Sequence, residues 1–183
     1  MSRLADPMKN KQNEESQNEG QSNFITKQLE ALAKIVAPCL QCTTCASACP
    51  VFQSDRSRNP RRIVHKLCSG DFDKLFDEME FWWCGGCYSC EAHCPQGVPL
   101  THVLYHLKNL AMKLGLPVPE SILRTGRALQ TGSIVPLRNE IKARRLRLGL
   151  DDPVLPSTEE IESILETTGF FDLMKQSECS NNE

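Results

Sequence analysis

The sequence predicts an all-α protein built around a repeated cysteine motif. Apolar residues recur every three or four positions in several segments, as on one face of a helix, and no segment sustains the alternation typical of a half-buried strand. Eight of the ten cysteines belong to two copies of the pattern C-x2-C-x2-C-x3-C-P, and the copies are offset by a constant 45 residues. We therefore expect paired helices that flank two neighbouring cysteine-rich loops.

The spacing within each copy is that of bacterial ferredoxins. There, three thiolates of one motif bind one [4Fe-4S] cluster, and the cysteine before the proline binds the other cluster. The pattern thus predicts two clusters, each of which takes its fourth ligand from the other motif. It also predicts that the clusters transfer electrons. The first cluster is expected on Cys39, Cys42, Cys45 and Cys94, and the second on Cys84, Cys87, Cys90 and Cys49.

Two other cysteine chemistries compete with this interpretation. Paired C-x2-C motifs also form structural zinc sites, but zinc leaves the third C-x2-C step and the Cys-Pro unexplained. A thioredoxin-like redox motif requires a βαβ pattern that the sequence lacks. Both alternatives predict a colourless protein.

The helices before and between the motifs follow from apolar spacing and caps. The first is expected to end before Pro38, and another to begin at Asn59-Pro60 and end at Gly70. A further segment is expected near Asp71 to Glu80. The predicted inward residues are Ile25, Leu29, Leu32 and Val36 in the first helix and Ile63, Val64 and Leu67 in the second.

After the second motif a longer amphipathic helix is predicted, ended by Gly115 and Pro117. Beyond it, helices are expected at 120–129 and 138–148, followed by one that begins after Ser157 with Glu160 as a capping-box partner. The inward residues of the long helix are expected to be Leu100, Val103, Leu104, Leu107, Ala111 and Leu114.

These elements suggest four segments. Residues 1–22 are rich in Asn, Gln, Glu and Ser and predict a disordered or partner-ordered arm. Residues 23–118 form the α-helical ferredoxin domain, residues 119–175 a helical extension suited to lying on a partner, and residues 176–183 a flexible tail.

Several residues around the motifs have open roles. Phe81, Trp82 and Trp83 precede the second motif and are expected to form a hydrophobic wall. Cys68 is expected to be a small buried apolar side chain, and His93 is a candidate donor near Cys94. Two basic clusters, around Arg58 and around Arg144, are either solvated helix faces or docking sites for an acidic partner.

Composition narrows the class of protein. Apolar runs fall short of the roughly 20 residues that a membrane span needs, and the N-terminus lacks a signal-peptide pattern. Reduced thiolates suit the cytoplasm. Nucleic-acid binding is not expected, because the basic clusters lack interleaved aromatic residues.

Three stretches together resemble the C-type iron-sulfur subunit of heterodisulfide reductase: RNPRRIVHKL, WWCGGCYSCEAHCPQGVPLTHV and GSIVPLRNEIKARRLRLGLDDPVLP, within a resemblance spanning about 25 to 172. The resemblance implies an α-helical ferredoxin subunit that passes electrons from a flavin and iron-sulfur subunit to a catalytic subunit. In methanogens that catalytic subunit reduces the mixed disulfide of coenzymes M and B. The motifs alone also fit relay subunits of bacterial sulfur metabolism and of glycolate, succinate and glycerol-phosphate oxidoreductases.

The chain is not expected to be catalytic by itself. It has no Cys-Cys pair, which the family's catalytic partner carries, and no G-x-G-x-x-G fingerprint. An enzyme using a cluster as Lewis acid or radical source would need an iron with an open site, which four cysteines per cluster do not leave. A redox-sensing iron-sulfur protein is the third alternative.

Overall fold

The fold is helical throughout the described part of the chain, which confirms the all-α prediction. A computed structural model describes residues 23–133, 137–151, 153–154 and 156–180, and no strand occurs among them. The predicted arm, residues 1–22, lies outside these residues. No helix within them is long and apolar enough to span a membrane.

The chain divides into two compact units, Met1–Leu110 and Ala111–Glu183. The sequence predicted a boundary after residue 118, where the long helix was expected to have ended. The observed division follows Leu110, inside that helix, because the residues before and after this point contact different parts of the chain. Helix periodicity marks where a helix ends but not where its packing partners change.

The first unit contains short helices around the motifs. Within its described residues these are α1 (residues 23–36), α2 (Thr44–Ser47), α3 (Pro50–Ser54), α4 (Pro60–Ser69), α5 (Phe72–Glu78) and α6 (Ser89–Ala92), with a 3-10 helix, η1 (Glu80–Trp83), between α5 and α6. The unit also contains α7 (Leu100–Lys113) as far as Leu110.

Helix α1 forms where its apolar spacing predicted it and ends at residue 36, before Pro38. Leu29, Leu32 and Val36 are buried along one face, whereas Ile25 near the start of the helix is only half-buried. The buried stripe continues towards the first motif, so α1 delivers the chain to the cysteine loop with its last turn anchored in the core.

Helix α4 is capped as predicted at both ends. Asn59 Oδ1 accepts a 3.0 Å hydrogen bond from the backbone amide of Arg61, and Pro60 occupies the first turn, where no donor is lost. Gly70 ends the helix with φ of 71°, a conformation that glycine adopts without steric penalty. The buried face comprises Pro60, Ile63, Val64, Lys66 and Leu67.

The segment predicted near Asp71 to Glu80 is two elements. Met79 adopts a left-handed φ of 44° and ends α5, after which η1 begins at Glu80. The break turns the chain so that Phe81 and Trp82 enter the core, with 0% and 7% of their surface exposed. This core lies directly before the second motif.

Helix α7 buries Leu100, Val103, Leu104 and Leu107 in the first unit. These residues recur at three- and four-residue spacing, as predicted. Leu114, also expected to face inward, follows the end of the helix and is half-buried. The inward face of α7 thereby supports the second motif from one side.

The second unit contains α8 (Glu120–Leu129), α9 (Asn139–Arg147), α10 (Thr158–Thr167) and α11 (Phe170–Ser180) within its described residues. Three of these match the predicted helices. Helix α10 begins after Ser157 as expected, although the Ser157 side chain makes no capping hydrogen bond.

Helix α11 extends through residues 176–180, where the sequence predicted a flexible tail. Met174 and Ser177 are buried on one face, and the Ser177 hydroxyl donates a 2.8 Å hydrogen bond to the Leu173 carbonyl. The close approach of α8 depends on Gly126, because a Cβ there would meet Met174 and Phe170 at 2.8 to 3.2 Å. Ser177 is small, and its hydroxyl is hydrogen-bonded, so it can be buried. The polar residues that suggested a tail are therefore compatible with a packed helix.

Candidate cluster-binding site

The two cysteine motifs adopt the same loop conformation. Gln41 and Thr43 in the first loop have φ of 54° and 69°, and their counterparts 45 residues later, Gly86 and Tyr88, have φ of 70° and 61°. Left-handed backbone is uncommon for residues other than glycine, so its recurrence in both loops is a structural requirement of the motif. The repeat in the sequence is therefore a repeat in three dimensions.

Backbone amides and hydroxyls approach the cysteine sulfurs in matching pairs. Each left-handed turn directs an amide at the sulfur two residues earlier, and the second cysteine of each loop forms a hydrogen bond with a hydroxyl of the short helix that follows. The contacts are Gln41 N to Cys39 Sγ at 3.4 Å, Gly86 N to Cys84 Sγ at 3.4 Å, Cys42 Sγ with Thr44 Oγ1 at 3.3 Å, and Cys87 Sγ with Ser89 Oγ at 3.5 Å. Donors aimed at sulfur stabilise thiolate charge.

Eight cysteines line two cavities in the first unit, four at each. One cavity is lined by Cys39, Cys42, Cys45 and Cys94. A second cavity is lined by Cys49, Cys84, Cys87 and Cys90. In both cases the cysteine before the proline lies at the cavity of the other motif.

The local backbone explains this exchange. Cys49 is in an extended conformation at the N-cap of α3, and Pro50 begins that helix, so the chain leaves the first loop in a new direction. After Pro95 the chain turns at Gly97, with φ of 61°, and the Val98 amide donates a 3.3 Å hydrogen bond to Cys94 Sγ. Helices α2 and α6 pack against each other between the loops.

Burial and charge set the acidities of the thiols. Burial, reinforced by the neighbouring Cys39 sulfur, raises the pKa of Cys45 to about 11, and burial also raises the pKa of Cys90. Hydrogen bonds from Thr44 and Ser89 instead lower the pKa of Cys42 and Cys87. Burial thus favours the neutral form of these two thiols, and a positively charged ligand such as iron would favour the thiolate.

Basic side chains reach the carbonyls of both loops. Arg61 Nη1 donates a 3.4 Å hydrogen bond to the Gln41 carbonyl, and Arg61 lines the first cavity. Lys108, on α7, donates a 2.7 Å hydrogen bond from Nζ to the Cys84 carbonyl and is half-buried. Both cations offset the negative charge of the thiolates.

The three aromatic residues that were predicted to form a hydrophobic wall do not all lie in the same place. Phe81 and Trp82 are buried, whereas Trp83 is 49% exposed and lines the second cavity. The Arg58 guanidinium lies 3.6 Å from the centre of the Trp83 ring, a cation-π geometry, and also lines this cavity. Trp83 thus covers one side of the second cavity at the protein surface.

Several neighbours of the second cavity were missed in the sequence. Thr101 Oγ1 lies 3.6 Å from Cys90 Sγ, and Tyr105 packs its hydroxyl against Gly86. With Lys108 they occupy positions 101, 105 and 108 on α7, at helical spacing. A polar stripe on the helix after a cysteine motif is the pattern that could have revealed them.

Two expectations for single residues were not met. Cys68 is exposed rather than buried, because Leu67 points into the core and the next side chain lies about 100° further around α4. His93 Nδ1 lies 2.9 Å from the Ser89 carbonyl, and the ring contacts no cysteine sulfur by a hydrogen bond in the described part of the chain.

The donor set fits iron-sulfur clusters. Each cavity presents four cysteine sulfur atoms, the ligands that iron cubanes take in proteins, and backbone amides donate hydrogen bonds to some of these sulfurs. Across the described ranges, no three His, Cys, Asp or Glu side chains are arranged to hold a single metal ion.

Comparison with known proteins gives a consistent result. Residues 35–98 match the model of a 4Fe-4S dicluster domain. The C-type subunit of a ferredoxin:CoB-CoM heterodisulfide reductase from Methanosarcina mazei is 34% identical, over 83% of this chain and 97% of that protein. The chain belongs to the C-type subunit family of heterodisulfide reductases. The C-type iron-sulfur subunit of CoB--CoM heterodisulfide reductase from Methanopyrus kandleri is 33% identical, over 75% of this chain and 77% of that protein.

A further relative comes from a third methanogen. The C-type subunit of an H(2):CoB-CoM heterodisulfide,ferredoxin reductase from Methanothermobacter thermautotrophicus is 31% identical over 74% of this chain. The dicluster domain confirms the predicted cofactors, two [4Fe-4S] clusters, and it covers both cysteine motifs. The family role expected for this chain, electron relay, follows from those clusters.

Proposed function

We propose that this chain relays electrons within a heterodisulfide reductase complex. In this proposal they arrive from a flavin and iron-sulfur subunit and leave to a catalytic subunit that reduces the heterodisulfide of coenzymes M and B. Cys39, Cys42, Cys45 and Cys94 hold one cluster, and Cys84, Cys87, Cys90 and Cys49 hold the other. The observation that carries the proposal is the pair of adjacent four-cysteine cavities with exchanged fourth cysteines.

Bound clusters supply reversible one-electron transfer. Reduction of a disulfide to two thiols consumes two electrons and two protons, so a relay must deliver electrons singly and in succession. The protein's part is to hold both sites close and to tune them. The packing of α2 on α6 fixes the distance between the loops, and the amides of Gln41 and Gly86 stabilise thiolate charge.

The chemistry on the disulfide is assigned to another subunit, since this chain carries no Cys-Cys pair and no dinucleotide fingerprint. We also propose a cytoplasmic complex, because eight thiolates must remain reduced to accept iron. The chain then acts as an electron-transfer subunit, and its partner subunits determine the direction of electron flow.

The test uses the full chain purified anaerobically, alone and with its co-purifying subunits. The dithionite-reduced chain alone should keep its bleached visible spectrum when the CoM-CoB heterodisulfide is added. With the other subunits present, the heterodisulfide should restore the oxidised spectrum. Turnover by the chain alone, or no reoxidation with all subunits present, contradicts the proposal; a Cys42→Ser/Cys87→Ser variant serves as the control without intact clusters.

A further inference from the structure

Helix α9 has no buried residue along its whole length, Asn139–Arg147. A helix of nine residues is marginal in water by itself, and helices in proteins are stabilised mainly by packing an apolar face. Other helices of the second unit do bury residues, such as Leu123 in α8 and Leu165 in α10. Helix α9 therefore lacks the packing that its neighbours have.

The end of α9 and the residues after it expose a leucine patch. Leu146, Leu148 and Leu150 are 80%, 66% and 49% exposed. Single exposed apolar side chains are ordinary, but three exposed leucines within five residues are a local concentration of apolar surface, the kind of feature that marks interaction sites. The patch supplies an apolar centre for a docking surface.

Basic residues accompany these leucines in the sequence. Five cations, Arg138, Lys142, Arg144, Arg145 and Arg147, stand against a single acid, Glu140. None of them forms an ion pair within the part of the chain that the structure describes. Cations in the last turn of a helix interact favourably with the helix dipole. This accounts for some of the basic residues at the end of α9 but not for the exposed leucines.

The first basic cluster behaves differently. Arg58 pairs with Asp55 at 2.8 Å, and Arg62 pairs with Glu78 at 2.7 Å and Glu80 at 3.2 Å. Those cations are used within the first unit. The cations of α9 differ from Arg58 and Arg62 in having no ion pair among the described residues, so their charge can meet an external acidic surface.

One α9 cation has an internal role. Arg145 donates hydrogen bonds from Nε and Nη2 to the Asp151 carbonyl, at 3.0 and 2.6 Å, and so holds the turn that follows the helix. This turn keeps Leu148 and Leu150 near α9. Arg147 Nε donates only a 3.4 Å hydrogen bond to the Ala143 carbonyl of its own helix, so the charge of Arg147, like those of Lys142 and Arg144, remains for intermolecular contacts.

We propose that residues 138–150, here called the α9 surface, dock into an apolar groove with an acidic rim on another subunit of the same complex. This inference rests on the proposed function, because it requires that the chain be a subunit. The groove takes the three leucines, and its acidic rim meets Lys142, Arg144 and Arg147. A protein groove fits better than a lipid surface, since membrane-surface helices are typically longer and carry a continuous apolar face.

The experiment measures binding of the cluster-loaded full chain to the remaining subunits, co-expressed without it and immobilised under anaerobic conditions. Arg144→Glu/Arg147→Glu should weaken binding about tenfold or more and make it less dependent on salt. Leu146→Ala should weaken binding about tenfold with the salt dependence unchanged. Matched controls are Lys113→Glu/Lys175→Glu and Ile164→Ala, which alter exposed side chains of the same unit.

The controls should bind like the wild type, and all variants should keep their helical circular dichroism and iron content, since no α9 residue is buried. Wild-type affinity in both α9 variants overturns the inference while leaving the proposed function intact. Equal loss in the controls, or binding of the α9 surface to anionic vesicles instead of the subunits, also overturns it. A wild-type chain that binds no other subunit contradicts both proposals.

Discussion

Lys108 Nζ donates a 2.7 Å hydrogen bond to the backbone carbonyl of Cys84, which places a half-buried cation at the second cysteine loop. Burial lowers the pKa of Lys108, while the Cys84 sulfur acts in the opposite direction. A fixed positive charge beside a cluster favours its more negative, reduced form. The first loop has a weaker counterpart in the 3.4 Å contact from Arg61 to the Gln41 carbonyl.

Replacing Lys108 should therefore change one potential and not the other. Lys108→Gln is expected to lower the reduction potential of the cluster held by the second motif, because the reduced form loses a compensating charge. An anaerobic redox titration followed by EPR checks this. Lys113→Gln, an exposed change on the same helix, should leave both potentials unchanged. A shift confined to the first-motif cluster would show that Lys108 acts elsewhere.

Gly86 is predicted to be more sensitive to an added side chain than Gly85, although its counterpart in the first loop is Gln41. Its φ of 70° is unfavourable for other residues, and a Cβ would overlap the Tyr105 hydroxyl. Gly86→Ala should cost about 1 to 3 kcal/mol and reduce the iron content of the second site. Gly85→Ala, which meets open space, should be close to neutral. Adding Tyr105→Phe to Gly86→Ala should restore part of the loss, and no difference between the two glycines would refute this role of Gly86.

Lys66 is predicted to be the main polar support of the first unit. Its Nζ lies 2.7 Å from Glu78 and 3.2 Å from Glu80, and only 9% of its side chain is exposed. The hydrogen bond from Lys66 lowers the pKa of Glu78. Lys66→Met leaves the nearly buried Glu80 with Arg62, at 3.2 Å, in place of two cations, and should cost about 2 kcal/mol, less than the loss of a sole partner would.

The control for this change is Lys74→Met, which removes an ion pair of 2.8 Å with Asp71 in which Lys74 is 68% exposed. Exposed pairs contribute about 1 kcal/mol or less. Thermal unfolding followed by circular dichroism should show a clearly lower midpoint for Lys66→Met than for Lys74→Met. Equal midpoints would mean that burial adds nothing to the Lys66 interactions.

Local features of the fold could be predicted from the sequence. Caps such as Asn59 and Gly70 act within one or two turns, and the apolar spacing of α1 and α7 is a property of each helix alone. The cysteine spacing predicted that Cys49 and Cys94 would exchange sites, and the structure places each beside the other motif's cavity. Which thiolates bind each cluster stays a prediction until the ligands are tested.

The remaining features depend on contacts between distant parts of the chain. Nothing near Lys108 in the sequence indicates that its amine meets Cys84, 24 residues earlier. Similarly, Arg58 stacks on Trp83 only because the segment before α4 lies close to η1 in the fold, although the two are separated in the sequence. Helix α11 was missed because its polar residues suggested a tail, although Ser177 is buried.

The proposed relay depends most on the exchange of cysteines, in which each cluster takes three from one motif and the fourth from the other. Cys42→Ser and Cys87→Ser provide reference spectra, because each removes a middle cysteine whose motif is not in question. Cys49→Ser is the decisive variant. Cys49 belongs to the first motif in the sequence, but it lines the second cavity in the structure. The measurement is EPR of the dithionite-reduced chain, with iron content determined on the same samples. Exchanged ligands predict that Cys49→Ser reproduces the spectrum of Cys87→Ser, whereas a spectrum matching Cys42→Ser would contradict the exchange.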